Sequence, residues 1–194
     1  DKVANEIIKS FFEIVIAPKF SKESITILKK KKNLRVLQAN YNPTEELNFK
    51  SISGGYIAQS QNLIQEYDEK IVTIKKPSQT QLQDSRFAWK VCSFVKSNSI
   101  VLVKNKTLLG MGAGQPNRIM SVKIAGEVAG NKSFGSILAS DAFFPFPDSI
   151  IKASELGVEC IIQPGGSIND EKVIEEADKR NISMIFTNQR RFTH

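Results

Sequence analysis

Three short apolar runs constrain the second half of the chain more than any other feature: Ser99–Val103 (SIVLV), Val158–Gln163 (VECIIQ) and Ser183–Phe186 (SMIF). Ser99–Val103 is continuous and β-branched, as in a strand covered on both faces, and the other two runs are read as buried strands of the same sheet. The cover has to come from helices, and segments of helical pattern lie beside these runs: Ser78–Lys96, Asn117–Ala129, Ser149–Glu155 and Asn169–Lys179. Leu82, Phe87, Val91 and Phe94/Val95 recur near helical spacing in the longest of them,. Asn105-Lys106 reads as a turn with Thr107–Met111 pairing back as a hairpin. Such alternation predicts an α/β fold with helices on both faces of a sheet.

The first half repeats the theme with weaker signals. A helical pattern through Val3, Ile7, Ile8, Phe11 and Phe12 leads to a strand at Glu13–Ala17, closed by Pro18. Ser21–Lys31 reads as a helix capped by Ser21, and Leu34–Gln38 as a strand,. Asn42-Pro43 marks a break,. Lys50–Ser53 and Tyr56–Gln59 read as extended pieces around a Gly54-Gly55 bend, and Ser60–Lys76 as a polar surface stretch. At 194 residues, one domain with a sizeable core is the default expectation,.

Composition excludes several chemistries. The single His, His194, rules out a multi-His metal site, and a Ser-His-Asp relay would have to recruit the chain end,. Cys92 and Cys160 are too few for a disulfide scaffold or a zinc site, and in their apolar surroundings they read as buried free thiols of a reducing compartment,. No metal is expected. The sequence shows no signal-peptide pattern, and no apolar run nears the roughly 18 residues that span a bilayer. It starts at once in a helical pattern from Asp1, which is the look of a fragment of a longer chain.

Lys+Arg number 27 against 20 Asp+Glu, a net charge of +7. The densest piece, Lys29–Lys32, falls where a helix would end and complements its dipole, and no aromatic residues interleave it as a stacking surface requires,. Small anionic ligands therefore suit the charge better than nucleic acid.

Five stretches carry candidate chemistry. Lys96-Ser97-Asn98-Ser99 breaks between the longest helix and a buried strand, and Gly110–Gln115 (GMGAGQ) leads into a helix at Asn117-Arg118. Alternating small residues would let backbone approach a ligand, although a tight hairpin exit explains them as well. Ser140–Asp148 (SDAFFPFPD) is rigid, aromatic and flanked by Asp141 and Asp148, which suits either a core plug or a planar heterocycle held by a carboxylate,. Gln163–Ile168 (QPGGSI) and the tail from Thr187 with Arg190 and Arg191 each follow a strand, where open α/β sheets place their ligands and where guanidiniums suit phosphate,.

Taken in order, KSNSIVLVKN, GMGAGQPNRIMSVKIA, LASDAFFPFPDSI, IIQPGGSINDEKVIEEAD and TNQRRFTH resemble the AICAR transformylase/IMP cyclohydrolase family, and FFEIVIAP and ILKKKKNLRVL extend the resemblance over essentially the whole chain. The resemblance implies a three-layer α/β/α, cytidine-deaminase-like subdomain. Residues 1–194 would be the C-terminal portion of the transformylase domain, with the cyclohydrolase domain and the first transformylase part absent. It implies formyl transfer from the co-substrate 10-formyltetrahydrofolate to AICAR ribonucleotide in IMP synthesis, by a cytoplasmic homodimer in the full-length protein, with no nucleic-acid or membrane partner. Nucleotide contacts carry to Asn98, Phe143 and Arg190, with Asn98 also polarising the formyl group. Folate contacts carry to Arg118, Ile119, Asp148, Ser167 and Ile168.

One departure bears on activity. The family's general base is the His of a Lys-His pair in a P-F-K-H string, and this sequence has no such string. Near the tail, Arg191 and Thr193 replace the family's usual residues and leave Arg190 intact. The expected fragment therefore holds ligand contacts without the proton-transfer pair. The alternatives are a non-catalytic nucleotide- or folate-binding module and, from the Lys29–Lys32 run, a basic nucleic-acid-binding domain.

Overall fold

A computed structural model describes residues 1–40, 47–60 and 67–193. The chain divides into two units, Asp1–Gln61 and Asn62–His194.

In the first unit α1 (Lys2–Ile7) is followed by β1 (Ile14–Ala17), α2 (Lys22–Leu28) and β2 (Arg35–Gln38). Ser21 caps α2 by accepting from Ser24 N at 3.0 Å, as its position predicts,. β1 and β2 pair in parallel, the pairing a strand–helix–strand unit requires,. β3 (Leu47–Ile52) and β4 (Gly55–Ser60) form a hairpin around Gly54, matching the expected bend. The helical pattern does not extend to Phe11 and Phe12, which are exposed beyond the end of α1. The expected break at Asn42-Pro43 lies outside the described residues.

The second unit is built on a six-stranded sheet in the order β5-β10-β9-β8-β6-β7. Its elements are β5 (Lys70–Ile71), α3 (Gln79–Cys92), β6 (Ile100–Lys104), β7 (Thr107–Gly112), α4 (Arg118–Ala129), β8 (Ile137–Ser140), α5 (Asp148–Glu155), β9 (Cys160–Gln163), α6 (Asp170–Lys179) and β10 (Ser183–Phe186). β8, β9 and β10 run parallel, while β6 lies antiparallel to both β8 and β7.

Alternate residues of the central strands feed two separate cores. Ile100, Leu102, Leu138, Ile161 and Met184 pack with residues of α4, α5 and α6. Val101, Val103, Ile137, Ala139, Ile162 and Ile185 pack with Ala88, Trp89 and Cys92 of α3. Both faces of the four inner strands β10, β9, β8 and β6 are dry, which is why these strands lack a polar alternation,. This is the expected α/β fold with the three-layer α/β/α arrangement. Both cysteines are free and buried, as expected.

Two strands escape the sequence pattern. β8 sits at the centre of the sheet, yet its Ala139 and Ser140, with Ser136 just before it, dilute its apolar signal. β5 falls in the stretch read as polar surface. Its described part is instead tied to β10: Val72 N donates to Met184 O at 3.0 Å, and Met184 N donates to the buried Thr73 Oγ1 at 2.8 Å. Residues 61–66 of that stretch lie outside the described residues.

The β6–β7 hairpin turns through Asn105 (φ 52°) and Lys106 (φ 53°), the pair of positive φ values that a two-residue hairpin loop demands,. The buried Asp84 carboxylate of α3 accepts from both turn N–H groups, each at 2.8 Å, and so fastens the turn to α3.

Candidate active site

Strand directions bring the sequence motifs to one edge of the second unit. Asn98 precedes β6, Gly112 ends β7, and Ile100 stands opposite both Gly112 and Ser140. Asp141 follows β8, Pro164 follows β9 and Thr187 follows β10, so the carboxyl ends of the parallel strands face the same way. Open α/β sheets bind ligands at this edge.

At the β6–β8 end the side chains interlock. Asp141 is fully buried, and its Oδ1 accepts from Arg118 Nη2 at 2.7 Å in an ion pair hidden from solvent. Its Oδ2 accepts from Ser97 Oγ. The same Arg118 Nη2 donates to Asn98 Oδ1 at 3.1 Å, while Asn98 Nδ2 donates to Gln115 O at 2.9 Å. Arg118 Nη1 reaches Phe143 O at 3.4 Å, and Ser121 Oγ donates to Asn98 O at 2.8 Å. Arg118 stands at the first position of α4, whose N-cap Asn117 accepts from Met120 N at 3.0 Å.

The tail closes this end. Arg191 N donates to Asp141 O at 2.8 Å, and Ser97 and Thr193 exchange bonds of 2.9 and 3.1 Å. That course lays the exposed Arg190 guanidinium 5.0 Å from the centroid of the Phe143 ring. Arg191 turns inward instead and lies 5.8 Å from the Trp89 ring, where burial lowers its pKa from the ordinary range. Beneath the loop, Cys92 Sγ lies 3.3 Å from Ser99 Oγ, and burial pushes this thiol up to about 12.

The other end is made of turns. Gly165 (φ 72°) and Gly166 (φ 92°) bend the chain after β9, and Gly166 N donates to Asp170 Oδ2 at 2.7 Å. Ser167 Oγ accepts from Asn169 N at 3.1 Å, and Ile168 is 99% exposed. Asp148 opens α5 as an exposed residue and accepts from Ser149 N at 2.7 Å. Asn169 Nδ2 donates to Pro145 O at 2.8 Å, joining this turn to the aromatic loop.

Several expectations change on this geometry. Gly110 and Gly112 do not serve a ligand: a Cβ on either would overlap the backbone of α4, at Ala125 and Ser121. They let the helix lie close on β7. The aromatic loop is both plug and surface, since Phe144 is fully buried, Phe146 is 60% exposed and Phe143 is half-buried under Arg190. Asp141 is not available to a heterocycle, because its carboxylate is already committed to Arg118 and Ser97. The Arg118 Nη atoms bond protein groups, while its buried Nε has no hydrogen-bond partner among the described residues. Asn98, Arg118, Phe143 and Arg190 are brought together, with Ile119 partly buried beside Arg118. Ser167 and Ile168 lie in the turn after β9, and Asp148 opens α5 just beyond the aromatic loop that Asn169 ties to that turn. Gln115, whose carbonyl accepts from the Asn98 amide, and Ser97, which donates to the Asp141 carboxylate, stood unmarked within the GAGQ and SNS strings.

No group of three or more His, Cys, Asp or Glu residues that could hold a metal occurs among the described residues. Nor is any described helix long and apolar enough to cross a membrane.

The arrangement defines an α/β protein with a partly preassembled polar site at a sheet edge. Residues 1–128 match the family model of the AICARFT/IMPCHase bienzyme, and the chain belongs to this family. It is 51% identical over 195 residues to the bifunctional purine biosynthesis protein PurH of Thermoanaerobacter sp. (strain X514), covering 100% of this chain and 38% of that protein. The PurH proteins of Wigglesworthia glossinidia brevipalpis (48% over 192 residues, 96% of this chain, 36% of that protein) and Dictyostelium discoideum (46% over 195 residues, 95% and 36%) are similar over nearly as much. The chain thus spans 36–38% of the length of these relatives. Among solved structures, Acinetobacter baumannii RibD aligns with 54% of this chain and 33% of its own at 18% identity and a TM-score of 0.36.

Proposed function

We propose that this chain is the C-terminal portion of an AICAR transformylase domain and holds contacts for AICAR ribonucleotide and 10-formyltetrahydrofolate. The observation that carries the reading is the convergence of Asn98, Arg118 and Phe143 on one sheet edge, with Arg190 laid over the Phe143 ring. An exposed guanidinium beside an aromatic face suits a phosphate next to a planar base. Asn98 has a second N–H beyond the one given to Gln115 O, and that N–H can orient a carboxamide or polarise a formyl oxygen,. The turn end, with Asp148, Ser167 and Ile168, takes the folate, Asp148 supplying an acceptor for pterin N–H groups. Full-length relatives would work as cytoplasmic homodimers.

Transfer needs more than these contacts. The AICAR amine is conjugated with an amide and is a weak nucleophile, so a base must take its proton while a donor steadies the tetrahedral oxyanion. Asn98 supplies the second function and cannot supply the first. The sole His is His194, with no Lys before it, so the chain alone binds ligand and turns over negligibly. This absence also favours a second reading, a binding module without catalysis.

Thermal unfolding with and without AICAR ribonucleotide tests the proposal. Stabilisation is expected, and Arg190→Ala and Phe143→Ala should abolish it. No shift at millimolar nucleotide would sink the ligand assignment, and robust formyl transfer by the 194-residue chain would sink the half-site reading. Fusing the family's preceding segment and assaying transfer separates catalysis from binding alone.

A further inference from the structure

We propose that Asp141 is a positioning residue: through Arg118 its carboxylate fixes the orientation of the Asn98 side-chain amide, and through the tail it places Arg190. The assignment rests on the nucleotide reading above.

A buried ion pair is a poor device for stability alone, because desolvation offsets most of its attraction and an apolar pair of similar volume often serves as well. The Asp141–Arg118 pair has a geometric consequence that apolar residues could not reproduce. Arg118 Nη2 bonds Asp141 Oδ1 and Asn98 Oδ1 together, at 2.7 and 3.1 Å. Asn98 is therefore held with its oxygen toward Arg118 and its nitrogen toward Gln115 O. A side-chain amide turns about a broad, roughly two-fold torsion, and a half-turn exchanges its donor with its acceptor. Held as it is, Asn98 presents an N–H to a ligand; turned, it would present a carbonyl oxygen and repel a carboxamide or formyl oxygen.

Asp141 also anchors the tail. Its backbone O accepts from Arg191 N at 2.8 Å, and Ser97, which donates to its carboxylate, is bonded in both directions to Thr193. Arg190 immediately precedes the first of these anchor points, so its place over Phe143 follows from the Asp141 loop.

The test uses the 194-residue chain and two readouts. The first is the Asn98 side-chain NH2 pair in a 15N-labelled spectrum, identified by its loss in Asn98→Ala. Wild-type chain should give one dispersed, slowly exchanging pair. Asp141→Asn, folded by its backbone spectrum, should move that pair toward solvent-exposed values. The second is a double-mutant cycle on AICAR ribonucleotide affinity. Asp141→Asn keeps the backbone O that holds Arg191 and an acceptor for Ser97, so it should weaken binding about tenfold through Asn98, and that loss should vanish when Asn98 is already Ala,. An unchanged Asn98 pair in folded Asp141→Asn, or full additivity of the two losses, overturns the proposal. If Asp141→Asn does not fold, Arg118→Lys carries the same test, since a single ammonium cannot span Asp141 and Asn98 as the guanidinium does. Absence of nucleotide binding by the wild-type chain would defeat the nucleotide reading, while the amide signal would still decide the positioning of Asn98.

Discussion

Around Asn98 the sheet edge is closed by side chains shielded from water, whereas around Ser167 and Ile168 it is built of backbone turns with the side chains outside. The Asn98 end is fixed before any ligand arrives. Its groups are oriented by burial, and each has more than one partner. The Ser167 end can adapt, because Ile168 and Asp148 touch little besides their own turns. A small rigid nucleotide suits the first kind of construction and a larger folate the second. Stability and binding should therefore separate along the edge.

The largest expected effect breaks the buried end. Asp141→Ala leaves Arg118 an uncompensated buried cation and should lower unfolding stability by about 3–5 kcal/mol. Urea denaturation measures this, and a loss no larger than that of a surface substitution would remove the contrast between the two ends.

Next comes the packing that sets α4 against β7. Gly112→Ala drives a methyl into the Ser121 backbone and should destabilise by about 1–3 kcal/mol, because backbone cannot move aside like a side-chain tip,. It should also weaken nucleotide binding, since Arg118 rides at the start of that helix.

A third effect depends on pH. In the folded chain the Cys92 thiol titrates at about 12, in place of the ordinary 9.0 it would show unfolded. Above about 9 the unfolded chain releases a proton that the folded chain keeps. The contribution is thus complete below that pH and is lost as pH rises toward about 12,. Urea midpoints followed across this alkaline range should fall less steeply in Cys92→Ala than in wild type.

The smallest effects sharpen the open end. Ile168→Ser and Arg190→Ala should change stability by no more than about 0.5 kcal/mol, since both side chains are exposed,. Their signatures should appear in folate and nucleotide binding respectively. A matching loss of thermal stability would show that these positions serve the fold as well.

Much of this was legible in the residues. The apolar runs at Ser99–Val103, Val158–Gln163 and Ser183–Phe186 become β6, β9 and β10, because a strand covered on both faces has no reason to alternate. Ser21 caps the helix it precedes, since capping is a local bond between neighbours. β8 and β5 were not legible. Their pairing energy comes from distant strands, and four residues ending in Ala-Ser, or two in a polar stretch, carry no periodicity of their own.

The site divides in the same way. The candidate residues Asn98, Arg118, Phe143 and Arg190 could be named from their motifs, and the family follows from them. The sequence by itself determined the α/β class, the dry sheet, the capped helices and the scarcity of imidazole. Only the tertiary structure decided that the alternating glycines serve helix packing, that Asp141 belongs to Arg118, and that Arg190 faces outward while Arg191 turns in. Each of those outcomes depends on contacts between different elements of the fold, and spacing along the chain contains nothing about which side chain will find which partner.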